Sequence, residues 1–245
     1  MHSGGPSVKR IAMLVFLIAV CDARAQAPVP PRFSTARPGA TVTGWQTVPL
    51  SASKQPTEYT LVADEGTVVL RASARNSASL LAWRSDFDPG AFPMLSWRWK
   101  VMRPVAGADT RERRSEDSPA RVMVSFSGNA ASLRATDRAA GVLAEAISGH
   151  ALPYAVLMYI WGARVAPEST TTSALTSRIR MIAVASDDEG TGRWQSYRRN
   201  LADDFRRVFG EDPGRVTAIE LMTDTDNTGG AAETFYGDLT LSPAP

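Results

Sequence analysis

Apolar and polar residues alternate in short runs along most of the chain, and turn residues separate these runs. The clearest run is 94–101, in which Trp97 and Trp99 fall on one face. Arg98 and Lys100 fall on the other face. Alternation with a period of two predicts half-buried strands. We therefore expect the two tryptophans to lie in the core and the two cations to face water.

Two segments have helical spacing instead. Residues 134–149 are rich in alanine, and Thr136 or Asp137 would cap the start of a surface helix there. A second helix is predicted to start after Asn200, whose side chain suits an N-cap, and to end at Gly210.

Strand follows strand along the chain, with about eleven predicted strands, two short helices and no internal repeat. This order favours a mainly β fold, namely an antiparallel two-sheet β-sandwich of the jelly-roll type. Residues 42–245 are expected to form this single domain. Residues 26–41 are rich in proline and small polar residues, which predicts a flexible tether.

The N-terminus has the three parts of a secretory signal peptide. Lys9 and Arg10 come first, an apolar run of 11 residues follows at 11–21, and small residues end the segment at Ala25. The run is too short to cross a bilayer as a helix. We therefore expect residues 1–25 to be a signal peptide cleaved after Ala25, which would place the protein in the periplasm or outside the cell.

A lipid anchor at Cys21 is the alternative outcome for this segment. Residues 18–21 resemble the lipobox of bacterial lipoproteins, although Val20 stands where that motif has glycine or alanine. Cys21 is also the only cysteine, so cleavage after Ala25 would leave a chain with no disulfide and no thiolate.

Charge bears on the class of partner. The complete chain has 27 basic and 25 acidic residues, and 1–25 contain three of the basic and one of the acidic ones. The remaining chain therefore has 24 of each and no net charge. A neutral chain gives no electrostatic support for binding nucleic acid or an anionic membrane. We expect neither, and favour a glycan or another envelope component as partner.

Acidic and amide side chains are concentrated around the last two predicted strands. Asp224, Asp226 and Asn227 lie in the turn, and Asp238 would return beside them if the final strand paired back antiparallel to its predecessor. Such oxygens are the ligands that Ca²⁺ prefers, so the four residues predict an oxygen-rich site with Ca²⁺ as the favoured occupant. An EF-hand is excluded because Phe235 stands at its twelfth position, where a bidentate glutamate is needed.

The alternative for this turn is purely structural. Asp and Asn side chains accept hydrogen bonds from nearby backbone N–H groups, and such bonds cap a turn without any metal. Three carboxylates brought together repel one another, so a metal, an arginine or a set of N–H groups must compensate their charge.

Candidate ligand contacts come from three residues. Trp161 and Trp194 lie beside glycines at predicted strand ends, where an indole ring could reach a surface groove and stack on a sugar. Asp109, in the long polar loop 102–118, is the third candidate.

Enzymatic motifs are few. His150 is the only histidine after residue 25, so a serine–histidine–aspartate triad or a multi-histidine zinc site has little support. A pair of carboxylates could still hydrolyse a glycan, since any fold can bring two of them together. The candidates for such a pair are Asp86, Asp88, Asp109, Glu116 and Asp117.

Several segments together support a family resemblance: LSWRWKV, DSPARVMVSF, LPYAVLMYIWG and MTDTDNTGGAAETFYGDLTL. They resemble the bacterial domain of unknown function numbered 3047, over about residues 45–241. The resemblance implies no activity and transfers no catalytic residue. The last two strands more faintly resemble those of galactose-binding-type jelly rolls, which is a similarity of fold alone.

These observations favour an exported, non-catalytic β-sandwich module that binds a glycan. A carboxylate-dependent glycan hydrolase or lyase is the first alternative, and a structural envelope protein is the second. The sequence names no substrate for any of the three.

Overall fold

The alternating runs form two β-sheets that pack face to face in the computed structural model, which describes residues 1–2, 26–186 and 190–245. This part of the chain contains thirteen strands and two α-helices. The strands are β1 (Gln46–Pro49), β2 (Glu58–Asp64), β3 (Thr67–Arg75), β4 (Ser79–Phe87), β5 (Met94–Arg103), β6 (Arg121–Phe126), β7 (Ala155–Gly162), β8 (Thr170–Thr172), β9 (Ile179–Ser186), β10 (Gln195–Asn200), β11 (Val216–Met222), β12 (Ala231–Tyr236) and β13 (Thr240–Ser242). The helices are α1 (Ala135–Ser148) and α2 (Leu201–Phe209).

The two sheets confirm the predicted β-sandwich. One sheet has seven strands in the order β1-β4-β11-β6-β7-β9-β8, and the other has six, with β10-β5-β12-β3-β2 in a row and β13 paired with β5. Named strands pair antiparallel throughout the described part except β7 and β9, which are parallel. Strand β8 lies at the sheet edge and pairs antiparallel with β9. Strand β9 therefore lies between β8 and β7, and it runs in the same direction as β7.

Strand β5 shows both a confirmed and a wrong prediction. Trp97 and Trp99 are 3% and 0% exposed and lie in the core between the sheets, as expected. Lys100 is on the opposite face, but it is only 5% exposed and does not face water. Its ammonium donates to both carboxylate oxygens of Asp64 at 2.7 and 2.5 Å and lies 5.3 Å from the ring centroid of Trp194. The turn at the end of β2 and the Trp194 ring therefore cover this side chain.

Helix α2 matches its predicted limits. The Asn200 side chain accepts from the N–H groups of Ala202 and Asp203, and Gly210 ends the helix in the left-handed conformation at φ 73°. The predicted cap of α1 is wrong, because Asp137 lies within that helix. The Asp137 carboxylate instead accepts from Thr176 Oγ1 at 2.6 Å and ties α1 to the loop before β9.

The segment 26–41 is not the predicted unpacked tether. Phe33 is 2% exposed, lies in the core, and packs against Trp45 with ring centroids 5.4 Å apart. Its backbone N–H donates to Asp238 Oδ1 at 2.7 Å. Phe33 is thus a single large apolar side chain that anchors an otherwise polar stretch. A search for periodic patterns over longer windows does not detect such an isolated residue.

The predicted cleavage after Ala25 and the alternative anchor at Cys21 concern the segment 3–25, which lies outside the described residues. Within the described ranges, neither helix has the length and apolar content that a membrane-spanning helix needs.

Candidate functional site

The outer face of the seven-stranded sheet is apolar at its centre. The strand register places one residue from each of five neighbouring strands in a single row across this face, and all five are buried. The row consists of Ala82, Glu220, Met123, Met158 and Met181. Side chains directly opposite one another on adjacent strands are in contact range, so this row forms a continuous floor.

Loops rise around this floor and enclose a cleft with a volume of about 420 Å³. The walls come from the β1–β2 loop, the β5–β6 loop, the segment before β7, the β8–β9 loop and the turn after β11. The charged lining side chains are Lys54, Arg113, Glu116, Arg121, Glu220, Asp224 and Asp226. The cleft is thus an apolar floor with hydrogen-bonding groups around it.

Arg121 and Asp224 form a buried ion pair at one end of the cleft. Arg121 Nε donates to Asp224 Oδ1 at 2.8 Å, and Nη2 donates to Oδ2 at 3.0 Å. Both side chains are 4% exposed. Burial alone would lower the pKa of Arg121, but its contacts with Asp224 outweigh that effect and raise it. The bidentate geometry gives both carboxylate oxygens a donor. Burial nevertheless raises the pKa of Asp224 to about 6, against the lowering effect of Arg121, so the pair is mostly ionised at pH 7 and loses its charge on mild acidification.

Arg121 also holds the cleft together around this pair. Its Nη2 donates to the carbonyl oxygen of Glu116, in the wall, and its Nη1 lies 3.9 and 3.6 Å from the sulfur atoms of Met158 and Met181, in the floor. One guanidinium therefore fixes the floor, a wall and the turn after β11 relative to one another.

Asp117, Asp224 and Asp226 form an acidic cluster in which one oxygen of each lies within 4.8 Å of the others. Each carboxylate already has donors. Asp117 accepts from the N–H groups of Asn227 and Thr228 at 3.1 and 2.7 Å, and Asp226 forms an ion pair with Lys54. The compensation that three clustered carboxylates require is therefore supplied by Arg121, Lys54 and backbone N–H groups.

Asp238 does not join this cluster, so the predicted four-residue site is wrong in that member. The expectation required β12 to pair with β11, but β12 pairs with β3 and β5 in the other sheet. Six residues of strand carry the chain about 20 Å away before Asp238 is reached. There its carboxylate accepts from the N–H groups of Phe33 and Ser34.

Glu220 lies in the centre of the floor and is 6% exposed. Its Oε1 accepts from Ser125 Oγ at 2.8 Å, while its buried Oε2 has no hydrogen-bond partner among the residues that the structure describes. Burial raises the pKa of Glu220 to about 7, against smaller opposing effects of the Ser125 hydroxyl and of Arg84. In neutral solution this carboxyl therefore holds its proton in a large fraction of molecules.

Comparison with known families gives one match. Residues 43–240 match the family described as "Protein of unknown function (DUF3047)". The chain belongs to the DUF3047 family. The resemblance seen in the sequence is thereby confirmed. No curated protein matches the chain.

Solved structures similar to this DUF3047 protein are remote. A carbohydrate-binding module specific for non-crystalline cellulose, CBM28, has 11% identity and a TM-score of 0.42, over 90% of this chain and 97% of that one. A family 12 xyloglucanase from Bacillus licheniformis has 7% identity and a TM-score of 0.45, over 84% of this chain and 97% of that one.

A tailspike protein domain of bacteriophage CBA120 has 8% identity and a TM-score of 0.43 over 89% of this chain. The DUF3047 chain covers only 21% of that tailspike chain. At these TM-scores the similarities carry no argument about function.

The predicted aromatic contacts do not line the cleft of the DUF3047 protein. Trp161 is 1% exposed and belongs to the core, so its prediction as a surface platform is wrong. Trp194 is half-buried on the other sheet, where its Nε1 donates to Asp64 at 2.9 Å and the Arg98 guanidinium lies 4.4 Å from its ring centroid. Arg98 therefore covers one face of the ring that a sugar would need.

Asp109 is also held in place rather than free to bind. Its carboxylate accepts from Arg111 Nε and Nη2 at 3.0 and 2.8 Å. These hydrogen bonds lower the pKa of Asp109 to about 2. The prediction of Asp109 as a ligand contact stays a prediction.

The structure brings Asp224, Asp226 and Asn227 together in the lining of the cleft. Sequence reasoning missed Arg121 and Glu220. Glu220 had a usable signal, since it is a single carboxylate within the otherwise apolar run 218–222. A charged residue in such a strand is almost never buried without a partner or a role.

Proposed function

We propose that this DUF3047 protein is an exported binding protein that holds a glycan chain in the cleft. The observation that carries the proposal is the lining itself, in which an apolar floor is surrounded by carboxylate, amide, ammonium and guanidinium groups. Sugar rings present apolar C–H faces and polar hydroxyl edges, and a lining of this mixed kind suits both. The signal-like segment 1–25 supports export to the periplasm or beyond.

Recognition in this cleft differs from the aromatic stacking expected from the sequence. The lining residues in the described part of the chain include no aromatic side chain. Methionines fill the floor instead, and their flexible thioether side chains adapt to irregular apolar surfaces. Specificity would then come from the polar groups on the rim, among them Lys54, Arg113 and Asn227.

Affinity electrophoresis tests the proposal. Gels that contain neutral hydroxyethyl cellulose or glucomannan should slow the purified protein relative to a gel without polysaccharide. Arg113→Ala should reduce the slowing, because Arg113 lines the cleft. The matched control is Arg114→Ala, since Arg114 is also exposed but lies outside the lining. Equal behaviour of the two variants, or no slowing by any polysaccharide, would contradict the proposal and favour a structural envelope role.

A hydrolase is the second candidate, and Glu220 is the observation that favours it. A general acid must hold a proton in neutral solution, and burial places the pKa of Glu220 in that range. The second carboxylate would be Asp224, four residues further along the same face. Release of new reducing ends from the same polysaccharides, and its loss in Glu220→Gln, would establish this candidate over simple binding.

Ca²⁺ at Asp224, Asp226 and Asn227 stays a prediction for this protein, and the structure adds Asp117 to the same acidic cluster. The existing partners of these carboxylates support the alternative, in which they cap the turn and neutralise Arg121 and Lys54. Melting experiments with and without the ion separate the two.

A further inference from the structure

A second pocket lies on the opposite side of the sandwich from the cleft, on the face of the six-stranded sheet that points away from the core. Its volume is about 600 Å³, which is within the range of small-molecule sites. Strand β5 places Arg98 in its lining, because Trp97 and Trp99 at the alternate positions lie in the core. Ser196 of β10 pairs with Arg98, so Arg198 lies diagonally opposite Arg98 on the same face.

The Arg98 side chain is oriented by its neighbours and keeps its hydrogen-bond donors free of them. Its guanidinium carbon lies 4.4 Å from the ring centroid of Trp194. The Trp194 ring is itself held in place, since its Nε1 donates to Asp64 at 2.9 Å and Asp64 also accepts from Lys100. The aliphatic part of Arg98 lies against Gly237, where an added Cβ would come within 2.7 Å of Arg98 Cγ. Stacking and this close approach therefore orient the guanidinium before any ligand binds.

The two arginines of the pocket lack acceptors of their own. Arg98 and Arg198 make no hydrogen bond and no ion pair with any residue in the described ranges. Asp238 is the one carboxylate among the described lining side chains, and it accepts instead from the N–H groups of Phe33 and Ser34. A guanidinium has five N–H donors and no acceptor, so both arginines can bind an oxyanion without breaking an existing bond.

The charge and the hydroxyl groups of the pocket indicate which oxyanion suits it. Two arginines and one aspartate give the lining a net charge of +1. This charge matches a single carboxylate, whose two oxygens pair with a guanidinium through parallel hydrogen bonds. The remaining polar side chains are mainly hydroxyls, namely Ser34, Thr67, Ser96, Ser196 and Thr240. Hydroxyl groups both donate and accept, as the hydroxyls of a sugar ring require.

We propose that this pocket binds a uronate residue of an acidic glycan, with the sugar carboxylate on Arg98 and Arg198. The inference goes beyond the proposed function, because the pocket lies on the other sheet and takes a charged sugar. Arg98 makes the paired hydrogen bonds to the carboxylate, and the exposed Arg198 adds a second positive charge beside it. Because Arg98 is already oriented, binding does not have to order a long flexible side chain.

Isothermal titration calorimetry tests the inference at about 0.15 M salt, where non-specific attraction between exposed charges is screened. The probes are trisaccharides of galacturonate, glucuronate and mannuronate, and each is compared with its methyl ester, which keeps the ring hydroxyls and loses the charge. At least one acid should bind about tenfold or more tightly than its ester. Binding by none of the acids, or equal binding of each acid and its ester, would overturn the inference.

Arg98→Gln should raise the dissociation constant of that acid by about ten- to a hundredfold, because it removes the charge-assisted pair of bonds. Arg98→Lys keeps the charge but not the paired donors, so its affinity should lie between the two. Arg103→Gln is the matched control, since Arg103 is exposed on the same strand and lies outside the lining. It should bind as the wild type does.

Gly237→Ala tests the orientation of Arg98 without removing any charge. The added Cβ displaces the Arg98 side chain, so this variant should also bind the acid more weakly while its melting curve shows that it is folded. Slowing by hydroxyethyl cellulose should be the same in Arg98→Gln as in the wild type, so the pocket and the cleft are tested independently. If Arg98→Gln and Arg103→Gln bind the acid alike, or if inorganic phosphate binds as tightly as the acid, the inference is wrong.

Discussion

Asp224 at one end of the cleft and Glu220 in the centre of its floor are buried carboxyls of one chain segment, but their hydrogen-bond partners differ. Asp224 accepts two hydrogen bonds from the Arg121 guanidinium and a third from the Ser118 N–H at 3.2 Å. Glu220, four residues earlier, receives one bond from a neutral hydroxyl and leaves its second oxygen without a partner among the described residues. Both side chains are more than nine-tenths buried, so exposure does not explain the difference.

The difference separates a buried charge that has a counter-charge from a buried carboxyl that has none. A paired buried charge contributes to the fold only as long as both partners stay, because removal of one partner leaves the other charge uncompensated. A buried carboxyl that lacks a partner weakens the folded state whenever it ionises, and such a cost is typical of functional positions. Removal of the charge of Arg121 and removal of the charge of Glu220 should therefore change the free energy of unfolding in opposite directions.

The largest expected effect is at the Arg121 end. Arg121→Met leaves Asp224 buried without a counter-charge, and we expect it to lower the free energy of unfolding by about 3 to 5 kcal/mol. The double variant Arg121→Met/Asp224→Leu should regain most of that loss, because no unpaired charge remains. Denaturant titrations of both proteins at neutral pH make the measurement, and a single variant within about 0.5 kcal/mol of the wild type would contradict the assignment.

The next effect has the opposite sign and depends on pH. The pKa of Glu220 is raised to about 7 in the folded protein, above its ordinary value of 4.5, so folding favours the protonated form. The stability tied to this proton is fully present below about pH 4.5 and is lost as pH rises through about 7. Glu220→Gln avoids that loss, and it should raise the free energy of unfolding by up to about 3 kcal/mol at pH 8.

Unfolding curves of wild type and Glu220→Gln at several pH values check this second prediction. The two proteins should have similar stability near pH 4, where both side chains are neutral. A difference that is constant with pH would show that the substitution acts through packing and not through ionisation.

The smallest effect concerns the acidic cluster beside Arg121. Asp226 pairs with Lys54, which is 39% exposed, so Asp226→Ala should cost less than about 1 kcal/mol. We expect the melting curves of the wild type to coincide in Ca²⁺ and in chelator, because the carboxylates already have donors. A bound ion would instead add about 2.7 kcal/mol to the free energy of unfolding at a hundred times its dissociation constant. A melting temperature that falls on addition of chelator would therefore support the calcium site.

Local sequence signals were sufficient for the secondary structure and the sandwich. Alternation placed Trp97 and Trp99 in the core, and Asn200 with Gly210 marked the limits of α2, because each of these features depends on neighbouring residues alone. Lys100 was misjudged for the same reason. Alternation gives the face of a strand, but whether another hairpin covers that face is a tertiary fact.

The candidate site was predicted only in part, because it depends on which strands become neighbours. The segment with Asp224 and Asp226 was found from its turn chemistry. The prediction that Asp238 joins this segment was wrong because β12 lies in the other sheet. The ion pair of Asp224 with Arg121 joins residues that are 103 positions apart in the sequence. Nothing in the local pattern around residue 121 or 224 specifies that contact.

The central claim is that burial without a counter-charge raises the pKa of Glu220 into the neutral range, whereas Arg121 compensates the charge of Asp224. Carbon-13 NMR of the glutamate side-chain carboxyls, titrated from about pH 4 to about pH 9, measures this directly when the spectrum of Glu220→Gln identifies the Glu220 signal. The account predicts a midpoint near 7 for that signal, because burial raises the pKa of Glu220 to about 7. A midpoint near the ordinary value of 4.5 would show an ionised side chain with access to water, and would contradict the account.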